Sequence, residues 1–205
     1  MKPSMAKYIS MIVIAITMFM VSSCSFLTPV KTDLSTKYIL NRVPTYVPTK
    51  TTHIISLLVS VPEARPLYNT TQMAYSIKPY QIAYFSQNEW AETPPQMLHP
   101  LLIQTLQNTH YFRAIIAPPS TSRYDYMLNT QILELRQDFT HRTPMLFMSV
   151  RAQLFKMSTN QVIATKQFSI EQPIPQESPY GGVYAANQAT EIILKQIALF
   201  CLKRI

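Results

Sequence analysis

Residues 146–170 read LFMSVRAQLFKMSTNQVIATKQFSI and carry the clearest structural signal of the chain. Apolar and polar residues alternate from Leu146 to Met157, and a period of two is typical of a strand that buries one face. Residues 158–160 supply turn-forming side chains, and a second strand-like run follows over residues 162–170. This stretch therefore predicts an antiparallel hairpin with one face in solvent.

Shorter strand-like runs precede this hairpin, at residues 38–40, 53–61, 72–77, 80–86, 111–116 and 124–139. Lys78-Pro79 separates the third run from the fourth, which predicts another hairpin. In the longest run the apolar positions change parity near Ile132, and this change predicts a β-bulge.

The segment Thr93-Pro94-Pro95-Gln96 is typical of a helix N-terminus. Thr93 can cap the helix, Pro94 suits the first helical position, and Gln96 completes a capping box. We expect the helix to end near residue 108. Its apolar residues recur at helical spacing and share one face, namely Leu98, Leu101, Leu102 and Leu106.

A last helix is predicted near the C-terminus, with Glu191 and Lys195 as a supporting i,i+4 pair. Its apolar face comprises Ala186, Ala189, Ile193, Ile197 and Phe200. The order of elements is strands, helix, strands, helix. It predicts an α+β fold, a mixed and mainly antiparallel sheet with two main helices packed on one face.

The N-terminus carries the pattern of a lipoprotein signal peptide. Lys2 and Lys7 precede an apolar run of about fourteen residues, which is short of the roughly twenty that a membrane-spanning helix needs. Val21-Ser22-Ser23-Cys24 then matches a lipobox, in which the Cys24 thiol accepts diacylglycerol. The alternative is an ordinary secretory signal with a chance cysteine.

Cleavage before Cys24 divides the chain into a signal peptide at 1–23, a lipidated tether at 24–37 and one domain at 38–205. Several acyl chains would anchor such a protein stably in a membrane. Ser25 follows the cysteine in place of an inner-membrane retention aspartate. We therefore expect the periplasmic face of the outer membrane.

Composition argues against several classes of function. The formal net charge is +8, but the basic residues are scattered, so the charge does not indicate a nucleic-acid-binding protein. The chain has two glycines, Gly181 and Gly182, and they are adjacent. Phosphate-binding loops, dinucleotide fingerprints and glycine-framed serine elbows all need spaced glycines.

We find no positive sequence evidence for a catalytic site, a metal site or a cofactor. His53, His99, His110 and His141 lie on different elements without ligand spacing. A pair of catalytic carboxylates has no support, and a periplasmic hydrolase is the weakest interpretation. Cys201 is either a reactive thiol or a small residue of the core, and the core is favoured.

Several short motifs occur in one order along the mature chain. They comprise Tyr38 with Leu40, Arg65-Pro66 through Met73 and Tyr75, Trp90-Ala91 with Pro94-Pro95 and Leu98, Asp125-Tyr126 with Leu128, Val150–Leu154, Phe168, and residues 186–189. This order resembles the auxiliary lipoproteins of ABC-type transport systems, the PqiC-like family. Asn160 stands where that family usually has a glycine, and Glu89 where an arginine is common.

The resemblance implies a non-catalytic accessory of an MCE-type system that moves lipids or hydrophobic compounds between the inner and outer membranes. Its partners would be an MCE-domain protein, a permease and an ATPase, received at an exposed sheet edge or groove. Candidate partner-binding residues are Trp90, Tyr75 and Tyr84, although Trp90 could instead pack beside the first helix.

Two further points stay open in the sequence. A homo-oligomeric ring would suit a component that caps a conduit. A lipoprotein that assists outer-membrane or secretion-complex assembly is the alternative function, on a similar small fold.

Overall fold

The computed structural model describes residue 9, residues 35–49 and residues 51–205. Cys24, most of the predicted signal peptide and most of the predicted tether lie outside the described residues. All elements below belong to the compact unit Ser35–Ile205.

The unit contains nine strands and two α-helices in its described residues. They are β1 (Thr36–Tyr38), β2 (His53–Val59), β3 (Glu63–Ala64), β4 (Gln72–Ser76), β5 (Ala83–Trp90), α1 (Pro94–Gln107), β6 (Phe112–Ile116), β7 (Tyr126–Asp138), β8 (Met145–Lys156), β9 (Gln161–Pro173) and α2 (Pro179–Arg204), with a 3-10 turn at Pro66–Tyr68. The predicted order of strands, helix, strands, helix is confirmed.

Strand β7 organises the sheet, because it has neighbours on both sides along its length. Strand β8 runs antiparallel to it, from Tyr126 opposite Lys156 to Asp138 opposite Met145. On the other side β2, β3 and β4 follow one another along β7, all in parallel. The chain between residues 53 and 76 thus passes along β7 in one direction.

The remaining strands extend this arrangement outward. Strand β6 pairs with β2, β5 pairs with β4, β1 pairs with β5, and β9 pairs with β8. The sheet is therefore mixed. The two long hairpin pairings, β7 with β8 and β8 with β9, are antiparallel, as the alternation of residues 146–157 predicts.

Local predictions agree with the structure at several positions. The register of β7 against β8 shifts between Ile132 and Glu134, so the predicted bulge is confirmed. At the start of α1, Gln96 Oε1 accepts hydrogen bonds from Thr93 N at 3.1 Å and Thr93 Oγ1 at 2.8 Å, and this is the expected capping-box contact. Asn160, in the β8–β9 turn, has a φ of 52°.

Several strand boundaries differ from the sequence prediction, and the short strand β3 was not predicted. Strand β5 continues to Trp90, because its end pairs with Thr36–Tyr38 on one side and with Gln72 on the other. Strand β1 spans Thr36–Tyr38 rather than residues 38–40, so the last residues of the predicted tether already pair with β5.

The core lies between the sheet and the two helices. The predicted apolar faces of α1 and α2 are buried. They pack with the inward side chains of β7 and β8, which include Leu128, Ile132, Met148, Val150, Ala152 and Leu154. None of the helices in the described residues has both the length and the apolar content needed to cross a membrane.

The two glycines are required where α2 begins. A Cβ atom on Gly181 would lie 2.0 Å from the backbone oxygen of Gln176, and one on Gly182 would lie 1.9 Å from Cδ of Gln137. At these two glycines the helix backbone thus lies directly against a loop and a buried side chain, with no room for a Cβ atom. Close packing explains both positions.

Residues 38–46 run along α2, and we call this segment the strap. Asn187 holds its middle: Oδ1 accepts from Asn41 N at 2.9 Å and from Arg42 N at 3.3 Å, and Nδ2 donates to Ile39 O at 3.0 Å. Because Asn187 is buried, these bonds satisfy polar groups that water does not reach freely.

The strap also changes the predicted ion pairing of α2. Glu191 pairs with Arg42 at 3.1 Å, and the Lys195 ammonium lies 5.8 Å from the centre of the Tyr46 ring. The predicted Glu191–Lys195 pair is therefore replaced by contacts with the strap. Sequence spacing alone could not show that another segment covers this face of α2.

Candidate functional site

The predicted partner-binding residues Tyr75 and Tyr84 both lie on the β4–β5 hairpin, but on opposite faces. Tyr75 is opposite Ala83, while Tyr84 is opposite Ala74. Because neighbouring residues of a strand point to opposite faces, the structure does not bring the two rings together.

The ring of Tyr75 belongs to an aromatic cluster. It stacks on Phe85 with ring centres 4.4 Å apart, and Phe139 meets it edge-on at 6.4 Å. On the other face, the Tyr84 hydroxyl donates a hydrogen bond to Leu67 O at 3.2 Å. Both tyrosines are half-buried, so part of each ring stays accessible to a partner.

Trp90 occupies a different environment. Its side chain is 4% exposed and belongs to the core, and its backbone N–H donates to Thr71 O at 2.7 Å. This burial agrees with the packing role that the sequence offered as the alternative to partner binding.

The tip of the hairpin, Ile77-Lys78-Pro79-Tyr80, is the most exposed apolar feature of this end of the sheet. Tyr80 is fully exposed, and Ile77 is 53% exposed. Tyr80 also has a φ of 64°, a left-handed conformation that is uncommon for a bulky residue. Such a backbone at an exposed ring is a feature often found at functional sites.

A network of charged side chains lies beside the hairpin tip. Arg136 Nε donates to Glu134 at 2.7 Å, and its guanidinium also pairs with Asp138. Asp138 in turn accepts a hydrogen bond from Thr140 N at 2.8 Å. A cavity of about 440 Å³ opens between this network and the tip, lined by residues that include Lys78, Tyr80 and His141.

The ionisation of Asp138 follows from these contacts. Burial acts to raise the pKa of the carboxyl group, but the hydrogen bonds from Thr140 and the charge of Arg136 outweigh burial and lower it. The Arg136 guanidinium also lies over the Phe147 ring, 4.6 Å from its centre. The base of the hairpin is thus held by several polar and aromatic contacts.

The outer strand β9 is a second accessible feature. It pairs with β8, and no further strand of the described residues lies along its other edge. Lys166 is opposite Ala152 on the helix side, and its ammonium lies 5.1 Å from the centre of the Phe168 ring. A lysine on the inner face of an edge strand is a known obstacle to uncontrolled strand pairing.

The histidines and Cys201 were also weighed as candidate site residues, and their contacts within the fold are as follows. His99 Nε2 lies 3.0 Å from Val59 O, and the His53 ring lies 4.6 Å from the Tyr111 ring. Within residues 35–49 and 51–205, no three His, Cys, Asp or Glu side chains are grouped as metal ligands would be. Cys201 is fully buried, and burial raises the pKa of its thiol to about 12. This environment supports the core interpretation of Cys201.

Comparison with known protein families shows to which family the chain belongs. The model of the family "ABC-type transport auxiliary lipoprotein component" matches residues 38–198, which is most of the chain. The chain belongs to this family. The resemblance found in the sequence motifs is therefore confirmed, and the protein is an auxiliary lipoprotein of ABC-type transport.

Solved structures show the same fold as this auxiliary lipoprotein. Protein XCC0632 from Xanthomonas campestris superposes with a TM-score of 0.75 at 18% identity, over 82% of this chain and 96% of that one. An uncharacterized protein superposes with a TM-score of 0.61 at 15% identity, over 78% and 99%. The comparison with curated proteins found no match.

Sequence reasoning missed two features of this surface. Tyr80 was assigned only to a strand, although the preceding Lys78-Pro79 was recognised as a turn; a left-handed tyrosine has no sequence signature. The Arg136 network was missed because the strand spacing of Glu134 and Asp138 did not indicate that the two carboxylates come together. In the structure each of them pairs with the arginine between them.

Proposed function

We propose that this auxiliary lipoprotein is a non-catalytic outer-membrane component of an MCE-type ABC transport system, which moves lipids or hydrophobic compounds between the inner and outer membranes. It acts as the periplasmic docking component. The observation that carries the proposal is the family match over residues 38–198. The lipobox at Cys24 and the serine that follows it support outer-membrane anchoring through acyl chains.

The β4–β5 hairpin is the proposed contact with the MCE-domain partner. Tyr80 presents a fully exposed ring at its tip, and the Arg136 network and the Tyr75–Phe85 stack support its base. Exposed aromatic residues on a rigid support lose little conformational entropy on binding and are frequent interface anchors. Tyr75 and Tyr84 would contribute from the two faces, while Trp90 supports the end of β5 from within the core.

The test is affinity purification of the tagged, acylated protein from detergent-solubilised envelopes, followed by mass spectrometry of the proteins that accompany it. We expect an MCE-domain protein with its permease and ATPase. A Cys24→Ala variant should lose membrane association. Reproducible recovery of a barrel or of secretion subunits without transporter components would contradict the proposal and favour an assembly function.

A matched pair of variants tests the hairpin separately. Tyr80→Ser should reduce recovery of the MCE-domain protein, while Tyr180→Ser removes another exposed tyrosine, on α2, and should leave recovery unchanged. Equal recovery with both variants would exclude the hairpin tip as the contact, even where the transport proteins are still recovered.

A further inference from the structure

A second open cavity lies at the opposite end of β7 from the hairpin tip. Its volume is about 920 Å³, and it is bounded by the start of β2, by Arg113 of β6, by the residues that lead into β7, and by the end of β8. We call it the basic groove. Its size falls within the range of small-molecule sites in proteins, roughly 300–1,000 Å³.

Three cationic side chains line the basic groove: Arg113, Arg123 and Lys156. They come from three separate parts of the chain, and all three are exposed. The ion pairs found among the described residues are made by Lys37, Arg42 and Arg136, so a direct ion pair neutralises none of the three. Both side chains are common phosphate ligands: the planar guanidinium of arginine donates paired hydrogen bonds, and the ammonium of lysine supplies a compact positive charge.

One carboxylate, Asp125, also lines the basic groove, and its hydrogen bonds tie it to the protein. Its Oδ2 accepts from both Ser56 N and Ser56 Oγ at 2.7 Å, while Asp125 N donates to Ser56 O at 3.1 Å. Met157 N donates to Asp125 O at 2.9 Å. These bonds join β2, the start of β7 and the end of β8 into a fixed floor. The cations still exceed the carboxylate by two.

Of the eight other lining residues, five are apolar or aromatic and three are serines. Ile54 is 82% exposed although it lies in a strand, and Tyr124, Tyr126 and Met157 are half-buried beside the groove. An isoleucine this exposed contributes little to the core, and apolar walls around a few charged groups are typical of a ligand site. The groove therefore combines a place for a negative charge with a place for an apolar group.

We propose that the basic groove binds an amphiphilic anion whose phosphate-bearing head contacts Arg113, Arg123 and Lys156, and whose apolar part lies against Ile54, Tyr124 and Met157. An anionic phospholipid has this chemistry; free phosphate shares only the charge. The site is about one strand length from the hairpin and does not depend on the docking function, so each proposal can fail without the other.

Native mass spectrometry of the mature, acylated protein tests this site. The protein is released from neutral-detergent micelles that contain either phosphatidylglycerol or phosphatidylcholine, and lipid adducts are counted. We expect adducts with phosphatidylglycerol and far fewer with phosphatidylcholine. Excess inorganic phosphate should not displace the lipid, because it lacks the apolar part.

Matched triple variants assign the binding to the groove. Arg113→Gln, Arg123→Gln and Lys156→Gln together should weaken phosphatidylglycerol binding roughly tenfold or more, since hydrogen bonds to charged groups contribute strongly. The control removes the same number of charges elsewhere, at Arg142, Lys203 and Arg204, which are exposed and do not line the basic groove. It should bind as the unsubstituted protein does.

A further variant tests the apolar wall, and thermal unfolding by circular dichroism confirms that each variant is folded. Ile54→Ser should weaken lipid binding while keeping the preference for the anionic lipid. Equal adducts with both lipids, displacement by inorganic phosphate, equal loss in both triple variants, or no adducts at all would each overturn the proposal.

Discussion

Asn187 of α2 accepts a hydrogen bond from the backbone N–H of Asn41 at 2.9 Å, and so joins the last helix to the strap. The two residues are far apart in sequence, yet one side chain bonds three backbone groups of the strap. We expect Asn187→Ala to lower the free energy of unfolding by about 2–3 kcal/mol, because it removes three hydrogen bonds between α2 and the strap that contribute about 1 kcal/mol each.

Chemical denaturation measures this effect, with Gln196→Ala on the same helix as the control. The control should change stability by less than about 0.5 kcal/mol, as is usual for a substitution outside the core. Amide hydrogen exchange at Asn41 and Arg42 should also become faster in Asn187→Ala. Unchanged protection of both amides would show that other contacts hold the strap.

The close approach of Gly182 to Gln137 predicts that a second substitution, at Gln137, restores stability lost by a substitution at Gly182. Gly182→Ala should destabilise the protein by about 1–3 kcal/mol, because its Cβ would overlap the buried Gln137 side chain. Adding Gln137→Ala should recover a large part of that loss. Gly181→Ala meets backbone rather than side chain and should not be rescued by the same change. Additive losses in a double-mutant cycle would contradict the proposed contact.

Cys201 should react only slowly with thiol reagents in the folded protein. Its thiol is fully buried with a pKa of about 12, so the reactive thiolate is scarce at neutral or mildly alkaline pH. Labelling with a disulfide reagent at pH 8 should therefore be slow and should speed up in denaturant. Fast labelling of the native protein would show that the thiol is accessible and would revive the alternative of a reactive cysteine.

Acid should destabilise the fold through Asp138. Its folded-state pKa lies below the unfolded value of about 3.9. The stabilisation is thus present above the unfolded pKa and is lost as pH falls through the folded pKa. Denaturation at pH 7 and pH 3 should show this loss, and Asp138→Asn should reduce the difference between the two. An unchanged difference would assign the acid sensitivity to other carboxylates.

Lys166 should limit association through the free edge of β9. Replacing it by valine removes the charge on the inner face of an edge strand, so we expect concentration-dependent association in light scattering. Thr165→Val is the matched control, since it gives the neighbouring position the same strand-favouring side chain without removing a charge. Equal association of both variants would attribute the effect to strand propensity alone.

The sequence predicted the elements whose signals are local. Alternation over residues 146–157 identified the main hairpin, the capping box located the start of α1, and a parity change located the bulge near Ile132. Each of these depends on neighbouring residues only. The parallel placement of β2, β3 and β4 along β7 depends on distant pairing, and no local pattern encodes it.

The functional surfaces were less predictable for the same reason. Trp90 stood out because it is the single tryptophan, yet β5 places it in the core. Arg113, Arg123 and Lys156 are ordinary isolated charges in the sequence, and only the meeting of three elements brings them to one groove. Asn187 gave no signal at all, since an asparagine in a helix is usually on the surface.

Strand β7 sets a distance as well as a topology. The basic groove opens where this strand begins, and the hairpin tip lies where it ends, about 40 Å farther along an extended strand of thirteen residues. Pairing on both sides opposes sliding, because a shift of one residue would turn buried side chains to solvent. The strand therefore holds the basic groove and the hairpin tip at a fixed separation. A ligand in the groove leaves the hairpin tip free for a protein partner.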